Sequence, residues 1–115
     1  MKFMLMSYVQ ENGWGQLTKE QQQQGIAAYT AYTEALTKAG AFKMGQRLGA
    51  SAAASTVRMK DGKAQILDGP YADAKEQLGG FFILEVANRE EAIQWAVKCP
   101  AVGHGVVEVR EMPTW

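Results

Sequence analysis

The side chain best matched to proton transfer near neutral pH is His104, the only histidine in the chain, set between Gly103 and Gly105. An imidazole with an unperturbed pKa of roughly 6.5 can act as general acid or base there. The same residue between two glycines also reads as an ordinary solvent-facing loop side chain. A second candidate is Asp68, which opens the run Asp68-Gly69-Pro70-Tyr71-Ala72-Asp73-Ala74-Lys75-Glu76-Gln77-Leu78-Gly79-Gly80. Its carboxylate could orient and charge-balance the imidazole if this segment folds over the strand ends, as acidic partners do in hydrolytic triads. The competing reading is an Asx-turn that only shapes the loop. Lys75, Arg58 and Arg47 could hold an anionic substrate, or be solvated like most surface charges. Tyr71, with Tyr8, Trp14 and Trp95, could line an apolar pocket, although aromatic residues at such spacings are often plain core.

Other chemistries find less support. One histidine, one cysteine and scattered carboxylates lack the paired spacing of a zinc site. Gly79-Gly80 precedes an apolar strand rather than a helix, so it is no phosphate-binding loop. No bound cofactor is implied. Cys99 has no neighbouring base in sequence and reads as structural. Glu85 shares a strand face with Phe81 and Ile83, where an unpaired carboxylate is costly, so it should reach the sheet edge or meet a partner such as Arg110.

These residues need elements to position them. Residues 2–9 (KFMLMSYV) place Phe3, Leu5 and Ser7 on one face and Met4, Met6 and Tyr8 on the other, the pattern of a strand buried on both sides. Thr18 with Gln21 forms a capping box that starts a helix of about five turns. Ile26, Tyr29, Tyr32 and Leu36 line one stripe of it, and Gly40 stops it. Residues 41–48 read as a second strand with a bulge at Gly45, followed by a Gly/Ala/Ser loop. Residues 56–60 and 63–67 flank Asp61-Gly62, a two-residue hairpin turn, with Val57, Met59, Ala64 and Ile66 at alternating positions. A loop over 68–80 then leads to an apolar strand over 81–86. Asn88 with Glu91 opens a second helix that Pro100 closes, and 106–110 is the last strand.

The resulting order, β-α-β, an inserted hairpin and loop, then β-α-β, predicts a single domain over residues 1–115. It should be an α+β, ferredoxin-like antiparallel sheet with two helices on one face. No helix remains for the other face, so a partner sheet, and hence a homodimer, is expected. Twelve basic and twelve acidic residues cancel, which argues against nucleic acid as a partner. No stretch approaches the roughly 18 consecutive apolar residues of a membrane span. The short N-terminal apolar run and the lone cysteine fit a cytoplasmic protein.

The run from Asp68 to Gly80 resembles, almost letter for letter, the DGPFAETKEQLGG signature of the DGPF proteins, a branch of the YCII-related family. Tyr71, Asp73 and Ala74 stand where the signature has Phe, Glu and Thr. The similarity extends from KFMLMSYV through Ser55-Thr56-Val57-Arg58 and Asp61-Gly62-Lys63 to Cys99-Pro100, His104-Gly105 and Val107-Glu108-Val109-Arg110. It implies a dimeric α+β barrel, similar in architecture to small-molecule isomerases, dehalogenating lyases and monooxygenases. YCII-like proteins carry a His on the first helix and an Asp before a proline after the second. Here that helix has no histidine and Lys98-Cys99 precede Pro100, so the pair is not carried over. Two functions remain open: a small-molecule protein with a pocket between sheet and signature loop, performing acid/base chemistry of isomerase or lyase type, and a non-catalytic module that contacts an extracytoplasmic-function sigma factor, whose genes commonly neighbour those of DGPF-like proteins.

Overall fold

A computed structural model describes residues 1–114. Strand β1 (Lys2–Gln10) is the centre of the molecule. It pairs antiparallel on one side with β5 (Glu76–Glu85) and on the other with β6 (Val106–Met112). Strand β2 (Phe42–Arg47) adds to β5, which gives a four-stranded sheet of order β2-β5-β1-β6. Two helices, α1 (Lys19–Lys38) and α2 (Arg89–Lys98), pack on one face, the ferredoxin-like α+β arrangement expected from the element order. Strands β3 (Ser55–Lys60) and β4 (Lys63–Asp68) pair only with each other.

Local chemistry sets the helix ends. The Thr18 hydroxyl accepts from the Gln21 amide at 3.1 Å while Gln21 Oε1 accepts from the Thr18 amide at 2.9 Å, so two donors left free by the helix start are satisfied reciprocally. Gly40, with φ of +72°, takes the left-handed conformation that ends α1. At α2, Asn88 Oδ1 accepts from the Glu91 amide and Glu91 Oε2 accepts from the Ala87 amide.

The core lies between sheet and helices. Phe3, Leu5 and Leu84 project from the sheet onto Tyr32 and Leu36 of α1, with Ala92 and Ala96 of α2 in the same cluster. The Tyr32 hydroxyl donates to the Trp95 carbonyl at 2.7 Å, and its ring meets Phe82 and Trp95 edge-on. The expected stripe of α1 is only partly used, with Tyr32 and Leu36 buried and Ile26 exposed; on α2, Ala92 and Ala96 are buried while Ile93 and Val97 are exposed.

The main departure from the sequence reading is β5. It starts at Glu76, so the last five of the thirteen residues assigned to a loop are strand. Gln77 and Leu78 pair with Val9 and Tyr8, a bulge follows, and Gly80 pairs with Ser7 and Arg47. A Cβ on Gly80 would lie 2.8 Å from the Gln46 carbonyl oxygen, so the glycine serves close backbone approach inside a sheet. The other sheet face, bearing Met4, Met6, Tyr8, Phe81, Ile83 and Met44, has no helix of this chain upon it. Among the described residues no helix is long and apolar enough to cross a membrane. Glu85 is exposed at the strand end, and Arg110 is engaged by Glu108 instead.

Candidate functional site

The signature segment leaves β4 through Gly69, whose φ of +105° turns the chain and whose amide donates to the Ala54 carbonyl. It is then fastened by Gln77, whose side-chain amide donates to the carbonyls of Ala72 and Ala74, both at 2.8 Å. This brings Ala74, Lys75 and Glu76 beside the end of β1 and the start of β6. Together with Tyr8, Val106, Val107 and Glu108 they line an open cleft of ≈ 540 Å³.

Its polar groups come from the sheet face without helices. Tyr8 is opposite Val106 and Met6 is opposite Glu108, which makes Tyr8 and Glu108 diagonal neighbours on that face. The Tyr8 phenol is raised above its ordinary range, first by desolvation and then by the Glu108 carboxylate beside it. Glu108 is held below the usual carboxylate range, chiefly because Arg110 Nε donates to its Oε2 at 2.8 Å. At neutral pH the cleft therefore presents a protonated phenol and an ionised carboxylate, with the Lys75 side chain at its wall.

His104 stands two residues before Val106, at the end of the 3₁₀ turn Pro100–Gly103, and is not among the residues that line the cleft. It is exposed, and its amide donates to the Ala101 carbonyl at 3.2 Å. Gly105 after it passes so close to β1 that a Cβ would stand 2.3 Å from the Tyr8 carbonyl oxygen. Asp68 is exposed at the root of the β3–β4 hairpin, opposite Ser55. Among the described residues no hydrogen bond or ion pair joins it to His104. Tyr71 is 80% exposed and lies under the Arg58 guanidinium, 5.7 Å from the ring centroid. Arg47 is exposed at the end of β2, opposite Gly80. Of the sequence candidates, then, Lys75 lines the cleft, His104 does not, and Arg58 of the hairpin pairs with Tyr71 of the segment that follows it.

Glu108 and Arg110 were not singled out for the cleft by sequence. Their alternation with Val107 and Val109 put them on one strand face, but the pairing of the first strand with the last was needed to bring Tyr8 to them. Trp95 packs with the core, Trp14 against Gly25 of α1. Cys99 is buried beside Ser7, and desolvation pushes its thiol up, which fits a structural role. Among the described residues no three His, Cys, Asp or Glu side chains converge as metal ligands.

Fold and cleft define a small ferredoxin-like α+β protein with its polar groups at one end of the sheet. The YCII-related domain matches residues 1–115, and the chain belongs to that family. An uncharacterised protein of Rhizobium meliloti (strain 1021) is 30% identical over 96 residues, 84% of this chain and 77% of the relative. Among solved structures, the 5-chloro-2-hydroxyhydroquinone dehydrochlorinase TftG of Burkholderia phenoliruptrix AC1100, in complex with 2,5-dihydroxybenzoquinone, superposes with a TM-score of 0.57 at 18% identity. That match covers 98% of this chain and 94% of the enzyme, and it shows a shared fold.

Proposed function

We propose that the cleft between the signature segment and the β1–β6 pair binds a small organic anion or carbonyl compound and carries out proton-transfer chemistry of the isomerase or lyase type. The observation that carries this reading is geometric: Tyr8 and Glu108 are diagonal neighbours across the β1–β6 pair and line one cleft together with Lys75. Glu108 is the carboxylate of the cleft that would take a proton from carbon next to a carbonyl, its basicity rising if bound substrate draws Arg110 away from it, with the electron pair of the broken C–H bond passing onto the carbonyl oxygen. Tyr8 and Lys75 are suited to hold that oxygen as it gains charge. Return of the proton at another carbon gives an isomer, and departure of a leaving group gives elimination. In this reading His104 would exchange the proton with solvent, which requires its side chain to reach the cleft, and Asp68 would reach it only if the hairpin root closed over the cleft. TftG, a dehydrochlorinase with a quinone bound, is a protein of the same fold that accommodates a small cyclic ligand. The protein is also read as a homodimer that turns its two open sheet faces towards each other.

Native mass spectrometry of gently isolated protein tests the cleft. A small-molecule mass retained by the wild type and lost in Tyr8→Phe or Lys75→Ala supports it. The same mass retained in both variants sinks it. His104→Ala, assayed with the compound so found, should slow turnover while leaving the far-ultraviolet circular dichroism unchanged.

A further inference from the structure

The β3–β4 hairpin joins side chains of opposite character on its two faces. Arg58, Lys60, Lys63 and Gln65 occupy one. The register Val57↔Ile66 and Met59↔Ala64 gathers four apolar side chains on the other. That second face is uncovered: Val57, Met59 and Ile66 are 64%, 68% and 69% exposed. None of these residues belongs to the core cluster. A lone two-stranded hairpin is at best marginally stable in water, so an apolar face of this kind needs a surface to lie on.

The chain's own sheet does not provide it. The molecule measures 49 × 44 × 17 Å, and 17 Å is the depth of one sheet with one helix layer. The arm therefore extends within the plane of that slab and does not fold back over the open sheet face. Two apolar surfaces, arm and open face, are left in one chain, and neither covers the other.

The areas point to what does. A folded monomer of 12.6 kDa has an accessible surface of about 6,200 Å² by the usual scaling with mass. This chain exposes 8322 Å². Its radius of gyration, 16.1 Å, likewise exceeds the ~13 Å of a compact chain of this length. An excess of roughly 2,000 Å² on each chain, about 4,000 Å² for a pair, falls within the roughly 2,000–5,000 Å² of total surface that obligate homodimers bury. With equal numbers of acidic and basic residues, two copies approach without net repulsion.

We infer that the hairpin is a dimerisation arm: it reaches past the edge of its own sheet and lays the Val57, Met59 and Ile66 face on the open sheet face of a second copy, reciprocally across a two-fold axis. This rests on the homodimer reading and not on the chemistry of the cleft. Two facing four-stranded sheets cross at an angle set by their twist and leave strand ends bare, and arms that continue the sheet layer cover that remainder.

Sedimentation equilibrium and hydrogen exchange on the full chain test it together. The expected result is a dimer whose β3 and β4 amides are protected about as strongly as those of β1, and a Val57→Lys/Ile66→Lys variant whose dissociation constant is raised roughly 100-fold or more. Unchanged far-ultraviolet circular dichroism and total tryptophan fluorescence would show that the body of the variant is still folded. A wild-type monomer at micromolar concentration overturns both the dimer and the arm. A dimer whose arm amides exchange like a free hairpin, or a folded double variant with unaltered dissociation constant, overturns the arm alone.

Discussion

Tyr8 on β1 and Glu108 on β6 lie diagonally across a strand pair on the sheet face without helices, the phenol raised and the carboxylate lowered by the setting they share. Arg110 completes the row through its 2.8 Å hydrogen bond to Glu108. Removing it should move Glu108 back up towards the ordinary carboxylate range. Carboxyl-carbon NMR titration of Arg110→Ala checks this, and a Glu108 midpoint unchanged from wild type would remove the arginine from the account. The linked stability has one sign: a depressed carboxylate stabilises the fold above its unfolded pKa and ceases to as pH falls through the folded one. Because the pair is exposed, its effect on the melting temperature should be slight.

The two glycines around His104 are not equivalent. Nothing lies within 4 Å of a Cβ built on Gly103, while one on Gly105 would stand 2.3 Å from the Tyr8 carbonyl oxygen. Gly103→Ala is expected to change stability by less than about 0.5 kcal/mol. Gly105→Ala should cost about 2 kcal/mol or more, because β6 must shift away from β1. Urea unfolding of the two variants side by side decides it.

Tyr32 joins α1 to α2 through its hydrogen bond to the Trp95 carbonyl. Tyr32→Phe keeps the ring against Phe82 and leaves that carbonyl without the donor, so a loss of roughly 1–2 kcal/mol is expected. An equally stable phenylalanine variant would show that water replaces the hydroxyl at no cost.

Burial pushes the Tyr29 phenol from 10.0 up to about 12. Since the folded pKa is the higher one, this contribution is fully present below pH 10.0 and is lost as the pH rises through about 12. Thermal melts should fall across that window, and Tyr29→Phe should fall less. Parallel curves for the two proteins would assign the alkaline loss to other groups.

Cys99, buried with its thiol pushed up, should react with a thiol reagent only on unfolding. Rapid modification of the native protein by one equivalent of reagent would contradict this.

Both helices and their caps could be read from sequence, because Thr18 with Gln21 and Asn88 with Glu91 act within a single turn. The Asp61-Gly62 turn is equally local: it needs positive φ at two adjacent residues, and both have it. The order of these elements was enough to name the sheet architecture. Sequence also marked out the segment from Asp68 to Gly80, and Lys75 within it. It did not show that Glu76–Gly80 is strand, since glycines that allow close backbone approach look the same in sequence as glycines that allow a turn. Nor could it bring Tyr8 to Glu108, 100 residues apart. That neighbourhood exists only because the first strand pairs with the last, a long-range hydrogen-bonding choice made when the helices bury Phe3, Leu5 and Leu84 and fix which face of β1 is left for chemistry.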